Sequence, residues 1–177
     1  MLTLTFVDVT RRVWLHRAGL TESENIPMST STDESVTKDL VETLEDGEKG
    51  FAQGAEKLEE TDAPDLARTF RELSAQRGSF SAELRSLAAN YGDKIDDSGS
   101  ATAALHRGWM SLKDALSGSD PKGVLDAAEQ GEDHAVKAYR KALDADVSAP
   151  LRAVVERQST DVKAAHDRVK ALRDAHH

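Results

Sequence analysis

Two glutamates stand where a helix should be apolar. At helical spacing, Val124–Leu143 places Leu125, Ala128, Glu132, Ala135, Tyr139 and Leu143 on one face. Val36–Leu58 repeats the pattern, with Glu48 set among Val41, Leu44, Phe51, Ala55 and Leu58. A carboxylate in an apolar stripe has two kinds of chemistry open to it. It can hold a hard cation such as iron or manganese through oxygen, or it can be neutralised by a buried cationic side chain. The cation for the second role is Arg77, centred on a face of Leu66, Phe70, Leu73, Phe80, Leu84 and Leu87, with Gln76 beside it. Gln158 holds the corresponding place among Leu151, Val155, Val162, Val169 and Leu172.

The spacing argues against the metal. A di-metal centre among four helices takes a Glu from each of two helices and a Glu-x-x-His pair from each of the others. Glu48 and Glu132 fit the first requirement. Gln76-Arg77-Gly78-Ser79 and Gln158-Ser159-Thr160-Asp161 fail the second, and Arg77 puts a permanent cation where the metal would sit. The expectation is a structural polar centre: Arg77 neutralises both Glu48 and Glu132, and Gln76 and Gln158 complete the hydrogen bonds. No residue is assigned to catalysis or to a cofactor. The alternative keeps Glu48 and Glu132 as ligands to iron or manganese.

Other reactive residues read as ordinary ones. His134 points away from Glu132, two positions on, and His166 lies one position off its apolar stripe beside Lys163 and Asp167. His106, Trp109 and Met110 fall on or beside the inner face of a short segment with Leu105 and Leu112. His176 and His177 are read as a disordered end. There is no Gly-x-Ser-x-Gly turn and no glycine-rich phosphate loop.

The elements that must position the polar centre follow from caps and breaks. A first helix is expected to start near Asp33–Ser35 and end near Glu60, with Gly47, Gly50 and Gly54 admitting a neighbouring backbone. Thr61-Asp62-Ala63-Pro64 breaks it and starts Asp65–Tyr91. Asp120-Pro121 is a cap followed by proline, and Ser148-Ala149-Pro150 restarts the chain into Leu151–Ala175. Short connections make two antiparallel hairpins, and the stretch from Gly92 to Ser119, with a short helix at Ser100–Leu116, carries the chain between them. The fold expected is all-α: a ferritin-like four-helix bundle of two hairpins with an extra helix in the crossover. Glu48 and Glu132 correspond as halves of a duplication, with 28 residues from Glu48 to Gln76 and 26 from Glu132 to Gln158.

Residues 1–34 are expected to form a disordered or poorly packed arm, and 35–175 the bundle. Residues 1–27 mix β-branched residues with arginines and lack the pattern of a signal peptide, so Met28 is an alternative start. With 177 residues and a formal net charge of −9, the chain suits one acidic domain rather than a nucleic-acid or anionic-membrane binder. A DNA-protecting mini-ferritin is opposed on the same ground. The absence of cysteine removes disulfides, thiolate catalysis and cysteine-ligated metals. No apolar run approaches the roughly 20 residues needed to span a bilayer.

The stretches Asp46-Gly47-Glu48-Lys49-Gly50-Phe51, Asp97-Ser98-Gly99-Ser100, His106-Arg107-Gly108-Trp109-Met110, Gly131-Glu132-Asp133-His134-Ala135 and Val162-Lys163-Ala164-Ala165-His166-Asp167 carry a resemblance. From about Thr37 to Asp174 the chain resembles an uncharacterised bacterial four-helix-bundle family of the ferritin-like superfamily, described as a domain of unknown function. That resemblance implies the bundle and no activity. The expected function is a non-catalytic, cytoplasmic ferritin-like bundle, a stress-associated or interaction protein. The alternative is a di-metal oxidoreductase or metal-storage protein. A weak homodimer is expected from Trp109 and the small-residue faces.

Overall fold

The computed structural model describes residues 30–61, 63–90 and 120–176, and among these described residues the regular structure is four helices. They are α1 (Thr30–Glu59), α2 (Pro64–Asn90), α3 (Pro121–Asp144) and α4 (Ala149–Ala175). No strand occurs among the described residues. The expectations for most of the N-terminal arm, the Ser100–Leu116 helix, His106, Trp109, Met110 and His177 lie outside them.

Local chemistry sets the helix ends. Asp120 caps α3, its carboxylate accepting from Lys122 N–H at 3.1 Å, and Pro121 opens the first turn. At the end of α1, the Thr61 hydroxyl donates to Leu58 O at 2.7 Å, satisfying a terminal carbonyl. α1 begins at Thr30, ahead of the start expected at Asp33–Ser35. Asp33 is therefore inside the first turn, and its Oδ1 accepts from the backbone N–H of Ser148 at 2.9 Å, just before α4. A residue read as the cap of its own helix holds the approach to another.

Pairs of contacting residues give the directions. Across α1 and α2, Arg85 reaches Glu45, Ser74 donates to Glu48 O, and Gly54 lies under Phe70, so the two helices run oppositely. α3 and α4 also run oppositely, through Tyr139 with Gln158, Asp133 with His166, and Glu129 with Arg173. Gly54 with Val124 and Asp39 with Lys141 set α1 antiparallel to α3. The α2–α4 seam is the least extensive of these four packings. Long polar side chains bridge it, Arg157 to Glu83 and Arg168 to Glu72 and Thr69.

The buried apolar residues fall into two clusters. One holds Phe51, Leu58, Phe70, Leu73, Leu125 and Val169; the other holds Leu44, Phe80, Leu84, Tyr139, Val155 and Val162. On three helices the residue between the clusters is charged: Glu48 on α1, Arg77 on α2 and Glu132 on α3. Gly54 shows how closely the first cluster is packed, since a Cβ there would come within 2.7 Å of the Phe70 ring. The neighbour that needs this glycine is a side chain, not the backbone expected from the sequence.

Candidate functional site

Arg77 and Glu132 face each other across the layer between the two clusters, 1% and 2% exposed. Nη2 of Arg77 donates to both carboxylate oxygens, at 2.6 Å to Oε1 and 2.7 Å to Oε2. Nη1 donates to Gln76 Oε1 at 2.7 Å. The guanidinium carbon stands 5.9 Å from the centroid of Phe51, whose own ring meets Phe70 edge-on at 5.3 Å. Burial pushes the Glu132 carboxyl above the ordinary glutamate range, while the charge and hydrogen bonds of Arg77, and the charge of His166, pull it back.

Two parts of the expected centre differ. Glu48 makes no ion pair among the described residues. It is half-buried, and its carboxylate lies over Gly78, where a Cβ would be 2.7 Å from Oε1. The α1–α2 crossing carries Glu48 past Arg77 toward the neighbouring glycine. Gln158 is fully buried but does not reach Arg77. Its Oε1 accepts from the Tyr139 hydroxyl at 2.7 Å, and its Nε2 donates to Glu83 Oε2 at 2.8 Å and to Phe80 O at 3.3 Å. The register explains this. Asp133 on α3 meets His166 on α4, so Gln158 lies level with Tyr139 rather than with Glu132. The two hairpins are not superimposable copies at the polar centre.

Tyr139 is the residue that sequence reasoning missed. At helical spacing it reads as part of the apolar stripe, yet a buried phenol needs a hydrogen-bond partner, and a glutamine in the facing stripe is the available signal. Burial pushes its hydroxyl upward, Arg77 opposes and Glu83 adds to the rise, so the group stays protonated and donates.

The histidines fall at the edges. His134 is exposed. The side chain of His166 is 15% exposed and bridges two carboxylates, Nε2 to Asp133 Oδ1 at 3.0 Å and Nδ1 to Asp167 Oδ1 at 3.1 Å. His176, expected to be disordered, closes α4 instead, with Nδ1 at 2.7 Å from Leu172 O. No group of three or more His, Cys, Asp or Glu side chains converges in metal-binding fashion among the described residues. A cation at Glu132 would have to displace a guanidinium that already engages both oxygens. None of the described helices is long and apolar enough to cross a membrane.

No curated protein matches this chain. Residues 34–145, well over half of it, match the family described as Domain of unknown function (DUF2383). That span takes in most of α1 and all of α2 and α3, with the whole Arg77–Glu132 pair, and the chain belongs to that family.

Proposed function

We propose that this protein is a non-catalytic, ferritin-like helical bundle acting in the cytoplasm as a stress-associated or interaction protein. The observation that carries the reading is the Arg77–Glu132 pair, in which the carboxylate best placed for a metal is bonded at both oxygens to a permanent cation. Support for the ferritin-like arrangement comes from the helix directions. α1 opposes α2, α3 opposes α4 and α1 opposes α3, the order that two antiparallel pairs joined by one crossover produce. The polar centre is then a registry device, fixing which helix faces which, a role for which buried charge is suited.

The second reading is a di-metal oxidoreductase or storage protein, favoured by one feature: the Glu48 carboxylate, lying over Gly78, has no ion-pair partner among the described residues. Elemental analysis of untagged protein, alone and after incubation with ferrous or manganous ion, separates the two. The structural reading expects no stoichiometric metal. Metal bound at one or two ions per chain and lost in Glu132→Leu would establish the other reading. Weak self-association belongs to the same proposal and is read from the light-scattering mass at high protein concentration. A monomeric mass removes it.

A further inference from the structure

The glycines at the polar layer differ in what surrounds them. Gly54 is held by the Phe70 ring, which a Cβ would strike at 2.7 Å. Gly47 is not so confined: a Cβ there would meet Arg77 Cγ, Cδ and Nε at 3.5, 3.6 and 3.8 Å, ordinary contact distances. Gly131 has nothing within 4 Å of its Cβ position among the described residues. The two are level with one another. Gly54 meets Val124 across α1 and α3, and two helical turns from that contact lead to Gly47 on one helix and Gly131 on the other. Gly47 is half-exposed and Gly131 exposed, so solvent reaches this level of the α1–α3 seam.

Beneath Gly47 lies an unmatched donor. Nη1 and Nη2 of Arg77 are bonded, but Nε has no hydrogen-bond partner in a side chain that is 1% exposed. An N–H left without an acceptor in such a place costs about 1–3 kcal/mol, so native structures avoid it. A methyl group over Gly47 would fit without a clash, and a water molecule is of similar size.

We propose that Gly47 and Gly131 form a notch between α1 and α3 that seats a small neutral hydrogen-bond acceptor, with water the resident occupant, on Nε–H of Arg77. Neutrality follows from Glu132, which already balances the guanidinium charge.

Two substitutions at one position give the test, because local propensity and the notch predict opposite orders. Alanine exceeds serine in helix propensity, so with no acceptor site Gly47→Ala melts higher than Gly47→Ser. If the notch seats an acceptor, the alanine methyl displaces it and strands Nε–H, whereas the serine hydroxyl replaces it. The expected result is a higher melting temperature for Gly47→Ser; the opposite order overturns the proposal. In the unmodified protein, the Arg77 Hε proton resonance should show a cross-peak to bound water and should not shift on adding inorganic phosphate. A phosphate-dependent shift, or a protein acceptor on Nε in a high-resolution crystal structure, would also overturn it.

Discussion

Arg77 gives a single nitrogen, Nη2, to both oxygens of Glu132, although the helices that carry them, α2 and α3, pack on one another less than any of the four helix pairs described above. The pair joins α2 to α3 across the middle of the molecule, and each partner is stranded without the other. Arg77→Leu should therefore cost about 3–5 kcal/mol, and Glu132→Leu a similar amount. The double replacement by leucine should recover much of that loss, because no charge is then left buried. Urea unfolding of the four proteins gives the coupling energy directly. Additive losses would show that the two charges do not depend on one another.

Tyr139 and Gln158 form another buried polar contact, one hydroxyl donating to one amide oxygen at 2.7 Å. Tyr139→Phe removes the donor and leaves Gln158 Oε1 unmatched in a fully buried place, at a cost of about 1–3 kcal/mol. Tyr139→Phe combined with Gln158→Leu should cost less than the sum of the single changes. An effect of Tyr139→Phe too small to measure would mean that the amide finds another donor.

Stability should fall as pH rises from the ordinary glutamate value of 4.5 through the raised value of Glu132. Over that window the folded protein holds a proton more tightly than the unfolded chain does, so each step upward in pH favours unfolding. Asp46, raised by burial, acts in the same direction from its ordinary value of 3.8. Glu132→Gln should flatten the profile of urea midpoint against pH. A Glu132→Gln profile parallel to that of the unmodified protein would show that this carboxyl does not titrate differently in the two states.

Gly54→Ala should destabilise, against the gain of about 1 kcal/mol that alanine normally brings to a helix. The added Cβ meets Phe70 Cδ1 and Cε1 at 2.7 and 2.8 Å and Val124 Cγ1 at 3.4 Å. Overpacking of this kind costs about 1–3 kcal/mol. Phe70→Leu in the same chain should reduce the penalty, since the smaller side chain can give way. Thermal melts of the two single variants and the double one decide it, and a stabilised Gly54→Ala would contradict the close contact.

The helices themselves were legible in the sequence because their signals are local. Apolar residues at helical spacing marked the buried faces, including Leu44, Leu84, Leu125 and Val155, and Asp120-Pro121 marked the start of α3. The charged centre was legible for a related reason: Glu132 and Arg77 interrupt apolar stripes, and a buried charge demands an opposite one. Which partner each polar group takes is a different kind of fact. It depends on the register between helices, which adds the geometry of the connections to the crossing of the axes. The register puts Gln158 beside Tyr139, two turns from Glu132, moves the Glu48 carboxylate one residue on from Arg77 to Gly78, and sends Asp33 to Ser148 N–H. Periodicity along one chain segment carries no information about that register. Only the packing of all four helices, each burying its stripe at once, decides it.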